Sequence, residues 1–288
     1  MRIRTSVERL SPLLEQSIVR NLASSHRDTF QMGLLQVERF YREMQPSKAI
    51  PMRLCAALRS RDADVRERTA RTFATIGGDV HSLRCLTVAL RDSSPGVRDY
   101  ACQALGKSGL PAAVPHVKKA LADPDDQVRF SALNSLAELN APLSRKELLH
   151  CATESSSLVR LAAVQSMTQL VTATRRARTW VLEFFSRRLE EETDELVRCD
   201  LFEALYRLTN GRTGLKQLRA LTRSGDGIVR WRVYDTLRRL ADCRNANKVW
   251  TILNEAARRE RSMRARRHVQ ERREEVREIF FNSMKRAR

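Results

Sequence analysis

Apolar residues recur along this chain in a register marked by repeated Val-Arg pairs. The valines of these pairs are Val65, Val97, Val128, Val159, Val197 and Val229, at intervals of 32, 31, 31, 38 and 32 residues. Mostly apolar residues follow each valine four, eight and eleven positions later, which is one stripe of a helix with 3.6 residues per turn. A second apolar segment precedes each stretch, for example at 82–90 and 112–121. The pattern predicts a repeated pair of antiparallel helices.

Neither helix of such a pair can bury its apolar stripe alone, whereas a stack of pairs buries all of them. The sequence therefore predicts an all-α protein, a right-handed α-solenoid (α-α superhelix) of two-helix repeats. The clearest copies read D-S-S-P-G-V-R-D-Y-A-C-Q-A-L at 92–105 and D-P-D-D-Q-V-R-F-S-A-L-N-S-L at 123–136. The longer interval of 38 residues is explained by a long helix predicted over 175–192.

The stretch A-L-G-K-S-G-L-P-A-A-V-P-H-V-K-K-A-L-A-D-P-D-D-Q-V-R-F-S-A at 104–132 resembles the short HEAT repeats first recognised in phycobilisome lyases. The resemblance extends over roughly 48–242. It implies a solenoid fold but little about function, because similar repeats occur in scaffolds, adaptors and a few enzymes. Three segments are predicted: an N-terminal helical capping repeat over 1–46, beginning with a helix over 1–21; the repeats over 47–243; and a basic helical cap or extension over 244–288, formed by one long helix or two.

The arginine of each Val-Arg pair forms a predicted ladder along the repeats. An acidic residue stands six positions before four of these arginines, at Asp92, Asp123, Glu154 and Glu192, while Ser60 and Ser224 occupy that position in the first and last units. In similar repeats such pairs bridge successive units, so the resemblance implies a structural role for the ladder.

Positive charge is concentrated near the C-terminus. The formal net charge is +19, and residues 211–288 carry 22 Lys+Arg against nine Asp+Glu, whereas residues 61–210 are nearly neutral. Arginine presents a planar fork suited to phosphate and carboxylate. The arginines predicted to bind a polyanion are Arg258, Arg259, Arg261, Arg264, Arg266, Arg267, Arg272 and Arg273. The partner can be nucleic acid or an acidic protein surface, and a merely solvated helix is the alternative.

A row of residues two positions after each valine turns from acidic to apolar along the chain. In similar solenoids the second helices line the concave surface, so this row and its neighbours are predicted to form a protein-binding groove, with partial burial between repeats as the alternative. The predicted groove residues are Phe130, Leu161, Trp231, Arg232, Asp235, Arg238 and Arg239.

No phosphate-binding loop, nucleophile elbow or zinc-protease motif occurs, so the sequence predicts a non-enzyme without cofactor or metal. Six scattered cysteines without a C-x2-C pair are predicted to be free core thiols of a reducing compartment. Without a secretory signal or a membrane-spanning segment, we expect a soluble, cytoplasmic protein.

These features predict a non-catalytic scaffold or adaptor. It would bind a protein through the second helices and an acidic partner through the arginine-rich C-terminal region. The alternative is a HEAT-like DNA-binding protein or an enzyme similar to the alkylpurine DNA glycosylases, which use aromatic residues and an aspartate in a concave cleft. Only Trp231 and Asp235, one helical turn apart, carry that second resemblance.

Overall fold

The structure, a computed structural model, describes residues 12–41, 48–211 and 213–286. The first eleven residues of the helix predicted over 1–21 lie outside these ranges, as do residues 42–47. The described residues form α-helices joined by short turns, without a strand. The helices are α1 Pro12–Leu22, α2 Arg27–Phe40, α3 Ala49–Ala57, α4 Ala63–Ile76, α5 Leu83–Ala89, α6 Pro95–Lys107, α7 Val114–Lys119, α8 Asp126–Glu138, α9 Arg145–Ala152, α10 Ser157–Ala173, α11 Arg178–Glu191, α12 Glu195–Leu208, α13 Leu215–Leu221, α14 Gly227–Leu240, α15 Ala246–Arg259 and α16 Met263–Arg286.

The helices alternate between two roles along the chain. Odd-numbered helices are the first helices of the repeats and even-numbered helices are the second. The chain divides into two compact units, residues 1–147 and 148–288. In the first unit α2, α4, α6 and α8 pack in succession, and in the second unit α10, α12, α14 and α16 do so. The prediction of an α-solenoid of two-helix repeats is confirmed. The predicted segment boundaries at 46/47 and 243/244 are a different division and remain a prediction.

The core of each unit is built from the predicted apolar stripes. In the first unit Val97, Ala101 and Leu105 of α6 are fully buried together with Val128 and Ala132 of α8. Burying a Val or Leu side chain contributes about 1.5–3 kcal/mol, so a stripe of such residues on each helix holds neighbouring repeats together. Gly106 permits the close approach of α6 and α8, because a Cβ there would lie 2.7 Å from the Cβ of Ser135.

The last repeats have an equivalent core. Val229, Val233 and Leu237 of α14 pack in one cluster with Val269 and Val276 of α16. Residues 246–286 are two helices separated by a turn at 260–262, which is the second of the two alternatives predicted for this segment. Because α16 packs on α14 as other second helices pack on their predecessors, α15 and α16 form a further repeat.

Four of the second helices begin at an aspartate whose carboxylate accepts a main-chain N–H of the first turn. The acceptors are Asp62 in α4, Asp125 in α8, Asp194 in α12 and Asp226 in α14, at 2.7–3.0 Å. Each such N-cap stabilises a helix by about 1 kcal/mol. Since the Val-Arg pair follows one turn later, these caps fix where the ladder arginines leave the helices.

The prediction of six free thiols is wrong for two cysteines. Cys55 of α3 and Cys85 of α5 form a disulfide, with their Cα atoms 5.6 Å apart. They lie one repeat apart on successive first helices, so the repeat itself brings them within the distance that a disulfide requires. Among the other four, Cys102, Cys151 and Cys199 are buried free thiols, while Cys243 is free and exposed. Burial raises the pKa of the Cys102 thiol, which keeps it protonated.

Candidate polyanion-binding surface

Within each unit, the ladder arginines lie along the edge formed by the loops that join the first and second helix of each repeat. Each paired arginine donates from Nε, and from a terminal nitrogen, to a carboxylate in the corresponding loop of the next repeat. The Nε–oxygen distances are 2.7 Å for Arg66–Asp92, 2.8 Å for Arg98–Asp123, 2.9 Å for Arg160–Glu192 and 2.7 Å for Arg230–Glu260. The bridging role that the resemblance implied is therefore present in both units.

The same arginines also tie down their own loops. Arg98 donates from Nη1 to the main-chain oxygens of Asp92, at 2.9 Å, and Ser93, at 3.3 Å. Asp92 thus accepts Arg66 through its carboxylate and Arg98 through its carbonyl oxygen. We call this arrangement a rung: one arginine joining two loops of successive repeats. Bidentate arginine–carboxylate pairs are among the strong charge-assisted hydrogen bonds.

The rung between Arg160 and Glu192 is the most buried, with 7% and 3% of the two residues exposed. Burial alone would raise the pKa of Glu192. Hydrogen bonds from Arg160, the Asp194 N–H and Arg188 outweigh burial and lower that pKa to about 2. Glu192 is therefore ionised at any physiological pH, and the rung is a stable ion pair.

One rung is missing. Ser224 occupies the position at which Arg198 would find a carboxylate, and Arg198 has no hydrogen-bond or ion-pair partner among the described residues. Its Nε is buried without an acceptor, and its guanidinium lies 5.9 Å from the centre of the Phe202 ring. Ser224 instead donates its hydroxyl to Glu195 and accepts the N–H of Asp226 at 3.1 Å. This joint lacks the ionic tie that the other rungs provide.

Three of the eight arginines predicted to bind a polyanion are engaged within the protein. Arg266 donates to the main-chain oxygen of Glu260, 2.7 Å away, as a ladder arginine does to its own loop. Arg272 donates to Asp235 at 2.7 Å, and Arg273 to Glu274 at 2.8 Å. Arg266 thus continues the ladder register, with buried Ala265 in place of the valine.

The other five project from the end of α15, the turn and the start of α16. Arg259 lies 3.5 Å from Glu255. The remaining four are exposed and make no ion pair or hydrogen bond with any side chain that the structure describes. Of these, Arg264 packs over the ring of Trp231, 5.4 Å from its centre. The four, which we call the free arginines, are Arg258, Arg261, Arg264 and Arg267.

A cleft opens between the α13–α14 loop and the α15–α16 turn. Its volume is about 690 Å³, and its charged lining is Arg223, Arg230, Arg259, Glu260 and Arg261. Burial alone would raise the pKa of Glu260, but hydrogen bonds from Arg230 and the Tyr234 hydroxyl lower it. That carboxylate is already engaged, so the cleft carries excess positive charge.

The predicted groove residues of α14 belong to a polar network on the second-helix face of unit 2. Arg232 forms a pair with Asp200 of α12 at 2.8 Å, Arg239 with Glu203 at 2.7 Å, and Arg238 with Glu275 of α16. Burial raises the pKa of Asp200, although Arg232 and Gln165 hydrogen-bond it. A polar pocket of about 280 Å³ lies on this face between α10, α12 and α14.

Trp231 and Asp235 are also engaged with neighbouring side chains. The ring of Trp231 stacks on His268, with centres 4.4 Å apart. Asp235 accepts from Arg272, and His268 Nε2 lies 3.2 Å from Asp235 Oδ1 without the geometry of a hydrogen bond. These contacts do not favour the glycosylase alternative, because the carboxylate is held in an ion pair and the tryptophan face is covered.

Two groove residues lie on different units. Phe130 belongs to α8 and Leu161 to α10, and both side chains are partly buried. Cys199, in the same row, is fully buried and contacts Thr236. These side chains are therefore at least partly covered within their own repeats, and the predicted protein-binding groove remains a prediction.

Neither a metal-binding cluster nor a membrane-crossing helix is found in the described ranges. No group of three or more His, Cys, Asp or Glu residues there could hold a metal ion. No helix there is long and apolar enough to span a bilayer.

Two residues of this surface, Arg198 and Arg223, were not among the predicted site residues. The signal for Arg198 is visible in the sequence, because Ser224 interrupts the series of acidic residues. Arg223 has no such signal, since its importance depends on the cleft formed with the α15–α16 turn.

Comparison with known proteins decides the family. A family model described as HEAT repeats matches residues 51–137 and 117–205, together more than half of the chain. The chain belongs to the HEAT-repeat family. A search of curated proteins found no match. HEAT repeats serve mainly as non-catalytic scaffolds or adaptors.

Solved structures share the fold of this HEAT-repeat chain at low sequence identity. The full-length AP-3 complex in an intermediate open conformation, a homology model, is 14% identical with a TM-score of 0.61, covering 92% of this chain and 50% of that one. Kap121p is 10% identical with a TM-score of 0.55, and the match covers 93% of this chain and 34% of that one. The CpcE–CpcF complex of phycocyanin lyase from Nostoc sp. PCC7120 is 15% identical with a TM-score of 0.50, and the match covers 96% of this chain and 98% of that one. The last shows that the fold also occurs in an enzyme.

Proposed function

We propose that this HEAT-repeat protein is a non-catalytic adaptor that binds a polyanion through the free arginines of its last repeat. The observation that carries the proposal is the division of the arginines into two groups. The paired ladder arginines and Arg272 and Arg273 donate to carboxylates within the protein, whereas Arg258, Arg261, Arg264 and Arg267 are exposed without a carboxylate partner. Four guanidinium groups on one end of a repeat attract phosphate or carboxylate groups strongly at low salt.

A protein partner is proposed for the second-helix face. The pocket there is lined by Gln165 and Gln169, whose amides can both donate and accept hydrogen bonds, and by Arg207 and Arg239, which can only donate. Gln169 and Arg207 are exposed. A surface of this kind suits an extended polar segment of another protein, since main-chain groups need both donors and acceptors.

Fluorescence anisotropy with a labelled single-stranded oligonucleotide at several salt concentrations tests the polyanion proposal. Four phosphate contacts give a slope of log affinity against log salt of about −2.8 for a single strand. Replacing all four free arginines with alanine should abolish most of the binding. The matched control replaces four exposed arginines of the first unit, Arg53, Arg59, Arg71 and Arg91, which removes the same charge elsewhere. Equal loss of binding in both variants would show that net charge alone is responsible, and the proposal would fail.

The adaptor role is tested by measuring how much of a protein partner stays bound to this protein with and without nuclease treatment. A protein held through the second-helix face should remain bound after nuclease treatment and be lost when Gln169 and Arg207 are replaced with glutamate. The variant lacking the four free arginines should still retain it. A partner released by nuclease would instead be bound through nucleic acid.

A further inference from the structure

We propose that the loop edge of unit 2 is a track for the phosphodiester backbone of nucleic acid, running from Arg198 past Arg223 and through the cleft to Arg261. The inference rests on the proposed function and deepens it. It adds two arginines from earlier repeats and names the ligand class.

The first observation behind this proposal is the missing rung at Arg198. In the complete rungs a carboxylate from the next loop occupies Nε and a terminal nitrogen of the arginine. At Arg198 the next loop offers Ser224, so the buried Nε has no acceptor and the terminal nitrogens make no bond to a described residue. The terminal nitrogens of such an arginine can donate to an oxyanion from outside.

The second observation is the excess of positive charge in the cleft. Glu260 is the one carboxylate among its lining residues, and it accepts Arg230 Nε at 2.7 Å and the Tyr234 hydroxyl at 2.6 Å. Arg223 and Arg261, at the two sides of the cleft, are exposed and make no side-chain hydrogen bond or close ion pair with a described residue. A phosphate entering the cleft would meet guanidinium groups from two loops.

The spread of these arginines indicates an extended ligand. Arg198 follows the loop before α12, Arg223 lies in the loop before α14, and Arg261 in the turn before α16. Neighbouring packed helices lie about 8–10 Å apart, so a single small anion cannot contact all three loops. A strand with a regularly repeated charge can do so.

The lining favours nucleic acid over an acidic protein. Besides the charged residues, the cleft is lined by Thr222, Ser224, Gly225 and Ser262, and its apolar contributors Tyr234 and Ala256 are almost fully buried. Protein interfaces are centred on apolar or aromatic anchors, whereas nucleic-acid interfaces are more polar and much more positively charged.

The test compares two charge-matched double variants of the full chain in oligonucleotide binding. Arg198→Gln with Arg223→Gln should weaken binding about tenfold and make the salt slope shallower by about 1.4, the value for two single-strand phosphate contacts. The control, Arg244→Gln with Lys248→Gln, removes two exposed charges near the opposite end of the helices and should leave affinity within about twofold. Circular dichroism checks that both variants are folded.

Several outcomes would overturn the track. If the Arg198/Arg223 variant binds like the wild type while the variant lacking the four free arginines does not, the track fails and the proposed function stands. If poly-glutamate of equal charge binds as tightly as the oligonucleotide, the ligand is not specifically nucleic acid. If inorganic phosphate competes at concentrations similar to those of the oligonucleotide phosphates, the site holds a single anion and no track exists.

Discussion

The joint between α4 and α6 and the joint between α12 and α14 are built from equivalent helices but are held together differently. At the first, Arg66 bridges to Asp92 on the loop edge, and the disulfide Cys55–Cys85 joins the adjacent first helices. At the second, the loop edge has no arginine rung. Its ion pairs lie on the second-helix face, where Asp200 binds Arg232 and Glu203 binds Arg239.

The comparison shows that the ion pairs between successive repeats can lie on either the loop edge or the second-helix face while the repeats remain packed together. Both joints keep buried apolar stripes, which supply most of the packing energy. With the ion pairs away from the loop edge, Arg198 has no carboxylate partner among the described residues. The loop edge is thus occupied by ion pairs at the joint between α4 and α6, whereas at the joint between α12 and α14 it is available for the proposed ligand.

The largest expected effect is the loss of the disulfide at the first joint. A cross-link between residues 30 positions apart stabilises by about 3.5 kcal/mol in the chain-entropy description, so Cys55→Ser with Cys85→Ser should lower the free energy of unfolding of the oxidised protein by about that amount. Cys243→Ser is the control, because that thiol is free and exposed. Titration of the denatured, unreduced chain should find four reactive thiols. Six would contradict the cross-link.

Acid should weaken the rung between Arg160 and Glu192, whereas the joint at Arg198, which has no rung, should not respond in this way. The pKa of Glu192 is lowered from its ordinary value of 4.5 to about 2, so its stabilisation is fully present above pH 4.5 and is lost as the pH falls toward 2. The shift corresponds to roughly 3 kcal/mol. Urea unfolding between pH 5 and pH 2 measures this loss. The variant Glu192→Gln should lack this part of the pH dependence; an unchanged profile would show that other carboxylates cause it.

Removal of a ladder arginine should matter only where the rung is complete. Arg66→Ala leaves the partly buried Asp92 carboxylate without its partner and should cost about 2 kcal/mol, somewhat less than for a fully buried pair. Arg198→Ala removes no ion pair and should change the free energy of unfolding by less than about 0.5 kcal/mol. Equal costs for the two variants would mean that the ladder pairing has no part in stability.

The sequence was sufficient for the repeats because each has a valine, an arginine and an apolar stripe in fixed register. The stripes predict burial locally, and Val97 and Val128 are indeed buried. The state of each arginine could not be predicted in the same way. Arg266 and Arg267 are adjacent in sequence, but one donates to Glu260 and the other projects into solvent. The disulfide also depends on tertiary packing, since 30 residues separate its cysteines.

The smallest expected effect is that of Ser224→Asp, a substitution that would restore the missing rung. The new carboxylate would lie at the position that Asp92 and Asp123 occupy in complete rungs and could accept Arg198. Glu195, which now accepts the Ser224 hydroxyl, would repel it, so the substitution is best made with Glu195→Gln. We expect a gain of about 1 kcal/mol in the free energy of unfolding, dependent on Arg198, together with weaker oligonucleotide binding. A gain in stability that persists in the Arg198→Gln background would show that the new carboxylate acts through another partner.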